Sequence, residues 1–368
     1  MQHQRPTEAR RYYDQRFWNE IPAVDAHLNR KATGDPGRDW IDQTLELLGG
    51  PAERALILNC GNGCQERRLL DRGVIRSAVG IDISAELLDE ARTAGDGLPV
   101  EYHEMDVNTA EFPAAFDVVI NVGAAHHIAW IDHVFRRLCE LLPADGWFIS
   151  NDYVGPHRNQ YPWEQWSAAW ALNETLPEAM RKELIYPHLP TMLAVDPTEA
   201  IHSELLIDTF ERYFTTEYSA GLGGALAYLL LTHNDKVIDA ADEWAAEIQA
   251  LLEADDRSEF PPMFAFWAGH PNKASLEDPR AAGWTTDETR REEAAADAAG
   301  EYYPRTLLQT LMIELSEREV AIDHAHAWAR DLNGKIDQLD GDLRNVRGER
   351  DNMLASRSWR WTAPLRRR

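Results

Sequence analysis

From residue 51 the chain alternates apolar runs with amphipathic ones. The runs at 55–59, 78–82, 100–104, 116–122 and 146–151 are short and apolar and are bounded by Gly, Pro, Asn or Asp, which predicts strands. Between them, segments such as AELLDEART and HVFRRLCELL space their apolar residues three and four apart, as helices with one buried face do. This alternation predicts an α/β fold, a Rossmann-like parallel sheet with helices on both faces. Upstream, IDQTLELL places Ile41, Leu45 and Leu48 on one side of a helix. Residues 1–50 therefore read as an N-terminal helical arm or lid, and 51–273 as the catalytic-type domain.

Beyond residue 155 the pattern changes twice. Trp163, Trp166 and Trp170 share one helix face, which serves either to pack that helix on the core or to line a pocket for a sugar ring. FERYFTTEYSA and MFAFWAGHP read as two late strands with the acidic helix AADEWAAEIQALLEADD between them. Residues 274–302, rich in Ala, Glu and Asp with Gly and Pro, read as a linker. From Leu308 to Met353 a strict three-four spacing runs through fourteen positions. Twelve are apolar, the exceptions being Arg318 and Arg350, which predicts a coiled coil over 303–355. Such a seam expects a second copy or a partner's helix. Residues 356–368 form a basic tail with five arginines and no acid.

Composition narrows the classes. Apolar residues are 44% of the 368, enough for a sizeable core. The formal net charge of −25 argues against nucleic acid as a partner of the body and suits a cationic ligand. Cys60, Cys64 and Cys139 are too few for a disulfide framework, and no second pair stands at zinc-site spacing, so no metal is expected from them. The polar start MQHQRPTEAR lacks the apolar run of a signal peptide, and Leu222 to Leu231 is short of the roughly 20 residues of a membrane span. A cytoplasmic protein is expected.

The candidate chemistry lies at the ends of the predicted strands. Asn59-Cys60-Gly61-Asn62-Gly63 joins the first strand to a helix, and glycines there let the backbone approach a ligand closely. Asp82 ends the second strand, where a carboxylate suits two ribose hydroxyls. Asp106-Val107 follow the third, and Asp106 can accept from an adenine amino group. The fourth, FDVVINVGAAHHI, ends in small residues beside the ligand. A dinucleotide dehydrogenase would need glycine at 66. This chain has Glu66, ill-suited to a pyrophosphate but acceptable beside the ammonium of S-adenosylmethionine. On these motifs the chain resembles the class I S-adenosylmethionine-dependent methyltransferases. It departs from them in having Asn59 and Gln65 where the family's first motif has an acid and a third glycine. The resemblance implies a seven-stranded methyltransferase sheet and S-adenosylmethionine as cofactor. The residues expected around it are Asn59, Gly61, Gly63, Asp82, Ile83, Asp106, Val107 and Asn121.

Methyl transfer to a hydroxyl needs in-line positioning and a base. His126 and His127 follow the fourth strand and Asp152 the fifth, facing one crevice, so the aspartate can orient an imidazole. Small-molecule sugar O-methyltransferases look similar here. DYVGPHRNQYPW and HLNRKATGDP resemble a subgroup found with bacterial surface-polysaccharide proteins, in which Asn29, Arg30 and Thr33 read as a lid or as a plain structural arm. SRSWRWTAPLR resembles the tails of proteins that build cell-surface glycans. Its arginines and tryptophans suit weak contact with the inner face of a membrane. The expected function is O-methylation of a sugar or glycan acceptor. The rivals are a non-catalytic scaffold acting through the coiled coil, and a methyltransferase for small metabolites or protein side chains.

Overall fold

The computed structural model describes residues 16–112, 115–189, 192, 196, 198–277 and 302–355; within the last segment, the side chains of 302–321, 323, 325 and 337 are not described. The chain divides into two compact units, 1–308 and 309–368.

In the first unit two helices precede the sheet, α1 (Pro22–Thr33) and α2 (Trp40–Leu48). Asp39 caps α2 by accepting from the backbone N–H groups of Ile41 and Asp42, and Gly49 ends it in the left-handed conformation. Then follow β1 (Ala55–Leu58), α3 (Cys64–Asp71), β2 (Ala78–Asp82), α4 (Ala85–Ala94), β3 (Val100–Glu104), β4 (Val118–Val122), α5 (Ile131–Leu141) and β5 (Trp147–Tyr153). After β5 come α6 (Trp163–Thr175), α7 (Leu206–Tyr213), β6 (Phe214–Gly223), α8 (Ala227–Leu231), α9 (Asp235–Asp239), α10 (Ala245–Arg257) and β7 (Phe264–Pro271).

The seven strands form one sheet in the order β3-β2-β1-β4-β5-β7-β6. The first five are parallel, and β7 runs antiparallel to both β5 and β6. β1 and β2 are buried at every position, as expected of strands covered on both faces. One core layer gathers Leu56, Val79, Val119, Phe135, Phe148 and Phe210 on one face; the other gathers Ile57, Leu69, Leu88, Ile120 and Phe266 on the opposite face. Strand order reverses between β1 and β4, which opens a crevice at the carboxyl ends of these strands.

Two expectations change. FERY is the end of α7, and the strand starts at Phe214. Leu206, Thr209, Phe210 and Tyr213 are buried at helical spacing, and Asp132 on α5 binds Arg212 (3.0 Å) and the Tyr213 hydroxyl (2.9 Å), which fixes the last turn. Of the three tryptophans on α6, Trp166 is buried, packing against Tyr161 and Tyr186, while Trp163 is exposed; none lines the crevice. The sugar-pocket alternative for them is therefore set aside. The stretch read as a linker begins as a short 3-10 turn, Lys273–Glu277; residues 278–301 lie outside the described residues, as does the tail 356–368.

Residues Tyr302–Ala355 form one continuous helix, α11. Of the heptad positions with described side chains, Ile322, Leu332, Ile336, Leu339, Leu343, Val346 and Met353 are exposed. Among the described residues, no helix is long and apolar enough to cross a membrane.

Candidate active site

The crevice opens onto a cavity of about 610 Å³. Its floor is the ends of β1, β4 and β5, with Asn59, Gly123, Asn151 and Asp152; its walls include Trp18, Asn29 and Trp40 from the N-terminal arm. Helix α1 buries Val24, His27 and Ala32, and the Tyr218 hydroxyl donates to Ala32 O at 2.7 Å. The arm is thus a packed wall. Asn29 reaches the cavity, Thr33 Oγ1 closes the end of α1 on Asn29 O (2.8 Å), and Arg30 is not among the lining residues.

The glycine loop follows β1. Asn59, Gly61 and Gly63 all have positive φ (45°, 57° and 74°). At Gly63 a Cβ would stand 2.5 Å from the Tyr102 hydroxyl, so both conformation and space demand glycine. Asn59 Nδ2 donates to Ala124 O at 3.2 Å, tying the β1 loop to the β4 loop across the crevice. Asp82 ends β2, buried, with Oδ2 accepting from Gly61 N and Oδ1 from Ser84 N, both at 2.8 Å. Burial pushes its pKa up against these donors. Ile83 beside it is exposed. Asp106 follows β3 and accepts from the backbone and side-chain nitrogens of Asn108, while Val107 is buried in the core. These four residues stand at neighbouring strand ends, and none of them lines the cavity.

Two polar residues expected at the cofactor turn elsewhere in the fold. Glu66, read as a neighbour of the cofactor's ammonium, is fully buried in the first turn of α3. It points at the sheet, where a Cβ on Gly80 would lie 3.1 Å from its Oε1. Asn121, read as a cofactor residue, turns to β5 and donates to Ser150 Oγ (2.7 Å) and Asp152 Oδ2 (2.6 Å).

His126 and Asp152 meet. His126 Nδ1 lies 2.5 Å from Asp152 Oδ1, both side chains being buried. The carboxylate also accepts from Asn121, from the backbone N–H groups of Ala124 (2.9 Å) and Ala125 (2.6 Å), and from Tyr153 N (2.7 Å). Burial alone would raise the Asp152 pKa, but the His126 charge and these donors hold it below the ordinary carboxylate value. Burial opposes charge on His126, and the adjoining carboxylate outweighs it, holding the imidazole up at about 9. His127, half-buried with its ring tilted 40° to that of His126 at 4.2 Å between centroids, is shifted down by burial and by its neighbour's charge.

Sequence reasoning missed a third member. Glu199 arrives from the loop after α6 and lines the cavity, with Oε2 3.6 Å from His127 Nε2 and 3.9 Å from His126 Nε2. Two backbone bonds place this loop, Arg158 N to Ala200 O (2.7 Å) and Ile201 N to His126 O (3.1 Å). Its only signal in the sequence was an acidic turn, Asp196-Pro197-Thr198-Glu199, with no periodicity to set its direction.

A parallel sheet with this strand order, its antiparallel β7, a glycine loop after β1 and an acid ending β2 make up a Rossmann-like methyltransferase fold. Residues 55–146 match the family model described as a methyltransferase domain. The chain is 26% identical over 142 residues to EEF1A lysine methyltransferase 4 of Mus musculus, covering 34% of this chain and 55% of that protein. It is 28% identical over 113 residues to a ubiquinone biosynthesis O-methyltransferase of Chromobacterium violaceum, covering 30% of this chain and 47% of that one. The chain thus spans about half the length of these relatives. A solved S-adenosylmethionine-dependent methyltransferase of Mesorhizobium loti aligns with TM-score 0.40 and 18% identity, over 62% of this chain and 96% of that one.

Proposed function

We propose that the chain is an S-adenosylmethionine-dependent O-methyltransferase whose acceptor is a sugar hydroxyl of a bacterial cell-surface glycan or its precursor. The observation that carries the O-methyl reading is the His126–Asp152 pair at 2.5 Å, at the edge of the cavity and next to the glycine loop. A hydroxyl must lose its proton as it attacks the sulfonium methyl. His126 lines the cavity, and Asp152 orients it and makes it the more basic imidazole of the pair. In its neutral form His126 Nε2 would take the hydroxyl proton, and bound S-adenosylmethionine would supply the methyl group, its S–CH3 bond breaking as the new C–O bond forms. A lining of Asn19, Asn29, Asn59, Asn151 and Asn159 with Trp18 and Trp40 supports a sugar, which needs amide partners for its hydroxyls and aromatic faces for its ring. The glycan pathway rests on the sequence resemblance.

In this reading α11 self-associates or takes a partner's helix, and the basic tail touches anionic lipid at the inner membrane face, where lipid-linked precursors are met. Liposome co-sedimentation tests the tail: binding should need anionic lipid and vanish without residues 356–368. Binding that survives this truncation would remove the tail from the account. The acceptor is tested by a mass-spectrometric screen of sugars and glycans with methyl-labelled cofactor. Label on a sugar oxygen is expected; label confined to protein lysines or to nitrogen would overturn the proposal.

A further inference from the structure

Beside the base pair, three acceptor atoms face one another. One ring nitrogen each of His126 and His127 and a Glu199 carboxylate oxygen lie within 4.8 Å of one another, and Glu199 Oε2 stands 3.9 Å from His126 Nε2 and 3.6 Å from His127 Nε2. The partner on the far side of each group fixes what that atom presents. The ionised Asp152 carboxylate can only accept, so His126 carries its proton on Nδ1, and Nε2 holds the lone pair when the ring is neutral. Thr198 Oγ1 donates to Asp196 Oδ1 at 2.7 Å and therefore accepts from His127 Nδ1 at 3.2 Å, which leaves His127 Nε2 as an acceptor too. Asn159 Nδ2 donates to Glu199 Oε1 at 3.3 Å, and Oε2 remains toward the rings. Two lone pairs and a carboxylate oxygen thus converge, and the set is stable only around positive charge, either ring protons or a cation.

The geometry points to a divalent first-row transition-metal site, with His126 Nε2, His127 Nε2 and Glu199 Oε2 as ligands. Metal–ligand bonds of about 2.0–2.2 Å put neighbouring ligands of a tetrahedral ion roughly 3.3–3.5 Å apart. The observed 3.6 and 3.9 Å to Glu199 need close by only a few tenths of an ångström. Two imidazoles and one carboxylate favour zinc or a similar ion over Mg2+ or Ca2+, which prefer oxygen-only sets. All three ligands already have outer partners, in Asp152, Thr198 and Asn159, and such partners orient metal ligands in known sites. His126 and Glu199 line the cavity, so a fourth position faces the acceptor.

What the ion would do rests on the O-methyltransferase reading; its binding does not. Ion and proton are alternatives on these nitrogens. A bound ion would supply Lewis acidity that lowers the pKa of the acceptor hydroxyl, whose proton would pass to water, with His126 serving as ligand in place of base.

The test is calorimetric titration of the full, tag-free, chelator-treated chain with Zn2+, Co2+ and, as control, Mg2+, with the visible absorption of the Co2+ form as a second readout. One Zn2+ or Co2+ per chain is expected, with an imidazole-type Co2+ spectrum and no Mg2+ binding. Affinity should fall about 100-fold or more in Glu199→Gln and His127→Ala, and about 10–100-fold in Asp152→Asn. S-adenosylmethionine affinity in the same Glu199→Gln sample should be unchanged, which shows that the protein is folded. No binding by wild type, or binding indifferent to both Glu199→Gln and His127→Ala, would overturn the site. Ion binding without methyl transfer to any acceptor would leave the site standing and sink the functional reading instead. Full turnover in chelated protein would overturn the ion's catalytic use.

Discussion

Replacing Glu66 by Gln should make the protein less sensitive to rising pH. The side chain is completely buried between α3 and the sheet, and neither carboxyl oxygen has a hydrogen-bond partner of normal geometry among the described residues. Burial pushes its pKa from 4.5 up to about 7, with the nearby Tyr102 hydroxyl opposing only in part. The folded state therefore keeps a proton that the unfolded chain gives up. Stability is fully present below the unfolded value of 4.5 and is lost as pH rises through about 7, after which the cost is constant. A shift of that size corresponds to about 3 kcal/mol, at roughly 1.4 kcal/mol per unit. Glutamine keeps the shape and removes the charge. Relative to wild type, Glu66→Gln should gain about 3 kcal/mol between pH 4.5 and 8, or roughly 6 °C or more in Tm for a domain of this size. Other groups, the raised His126 among them, titrate in both proteins and cancel in the difference between the two curves. Differential scanning calorimetry across that range is the assay. Parallel Tm curves for wild type and variant would refute the reasoning, because they would mean that Glu66 ionises as freely inside as outside.

Two further outcomes are expected. Asp82→Ala removes a carboxylate that holds the Gly61 and Ser84 N–H groups, and it should weaken S-adenosylmethionine binding by about 1.5–3 kcal/mol; unchanged affinity in calorimetry would take Asp82 out of the cofactor site. A chain ending near Lys273 loses α11 and its exposed Leu339, Leu343 and Val346, so light scattering should find it monomeric while the full chain self-associates. Equal monomeric masses would leave only a partner's helix to cover that face.

The parts of the fold legible in the sequence were those in which one local pattern decides the outcome. Strands β1 and β2 are apolar runs closed by Asn59 and Asp82, and β4 is apolar but for Asn121 and is followed by Gly123; their burial agrees with that pattern. The meeting of His126 with Asp152 was legible as well, because adjacent parallel strands bring their carboxyl ends to one edge. FERY misled because its aromatic and apolar residues fit either period, and a long-range anchor on Asp132 decided for helix. Glu66 misled because its neighbours in sequence face the loop, whereas the left-handed Gly63 turns the helix start so that Glu66 points under the sheet. Glu199 was invisible because its loop is aimed by backbone bonds across 40 residues and more, with Arg158, Asn159 and Ala200 at positive φ (54°, 53° and 49°). No local propensity encodes that direction.

The central claim is that the imidazole at the β4 end, held by Asp152, carries methyl transfer while the cofactor is held elsewhere. It is tested most directly by measuring turnover and S-adenosylmethionine affinity in the same preparations of wild type, His126→Ala and Asp152→Asn. Turnover with a responsive acceptor should fall about 100-fold or more in His126→Ala and strongly in Asp152→Asn, with cofactor Kd within about twofold of wild type. Wild-type turnover in His126→Ala, or a loss that follows cofactor affinity step for step, would contradict the account.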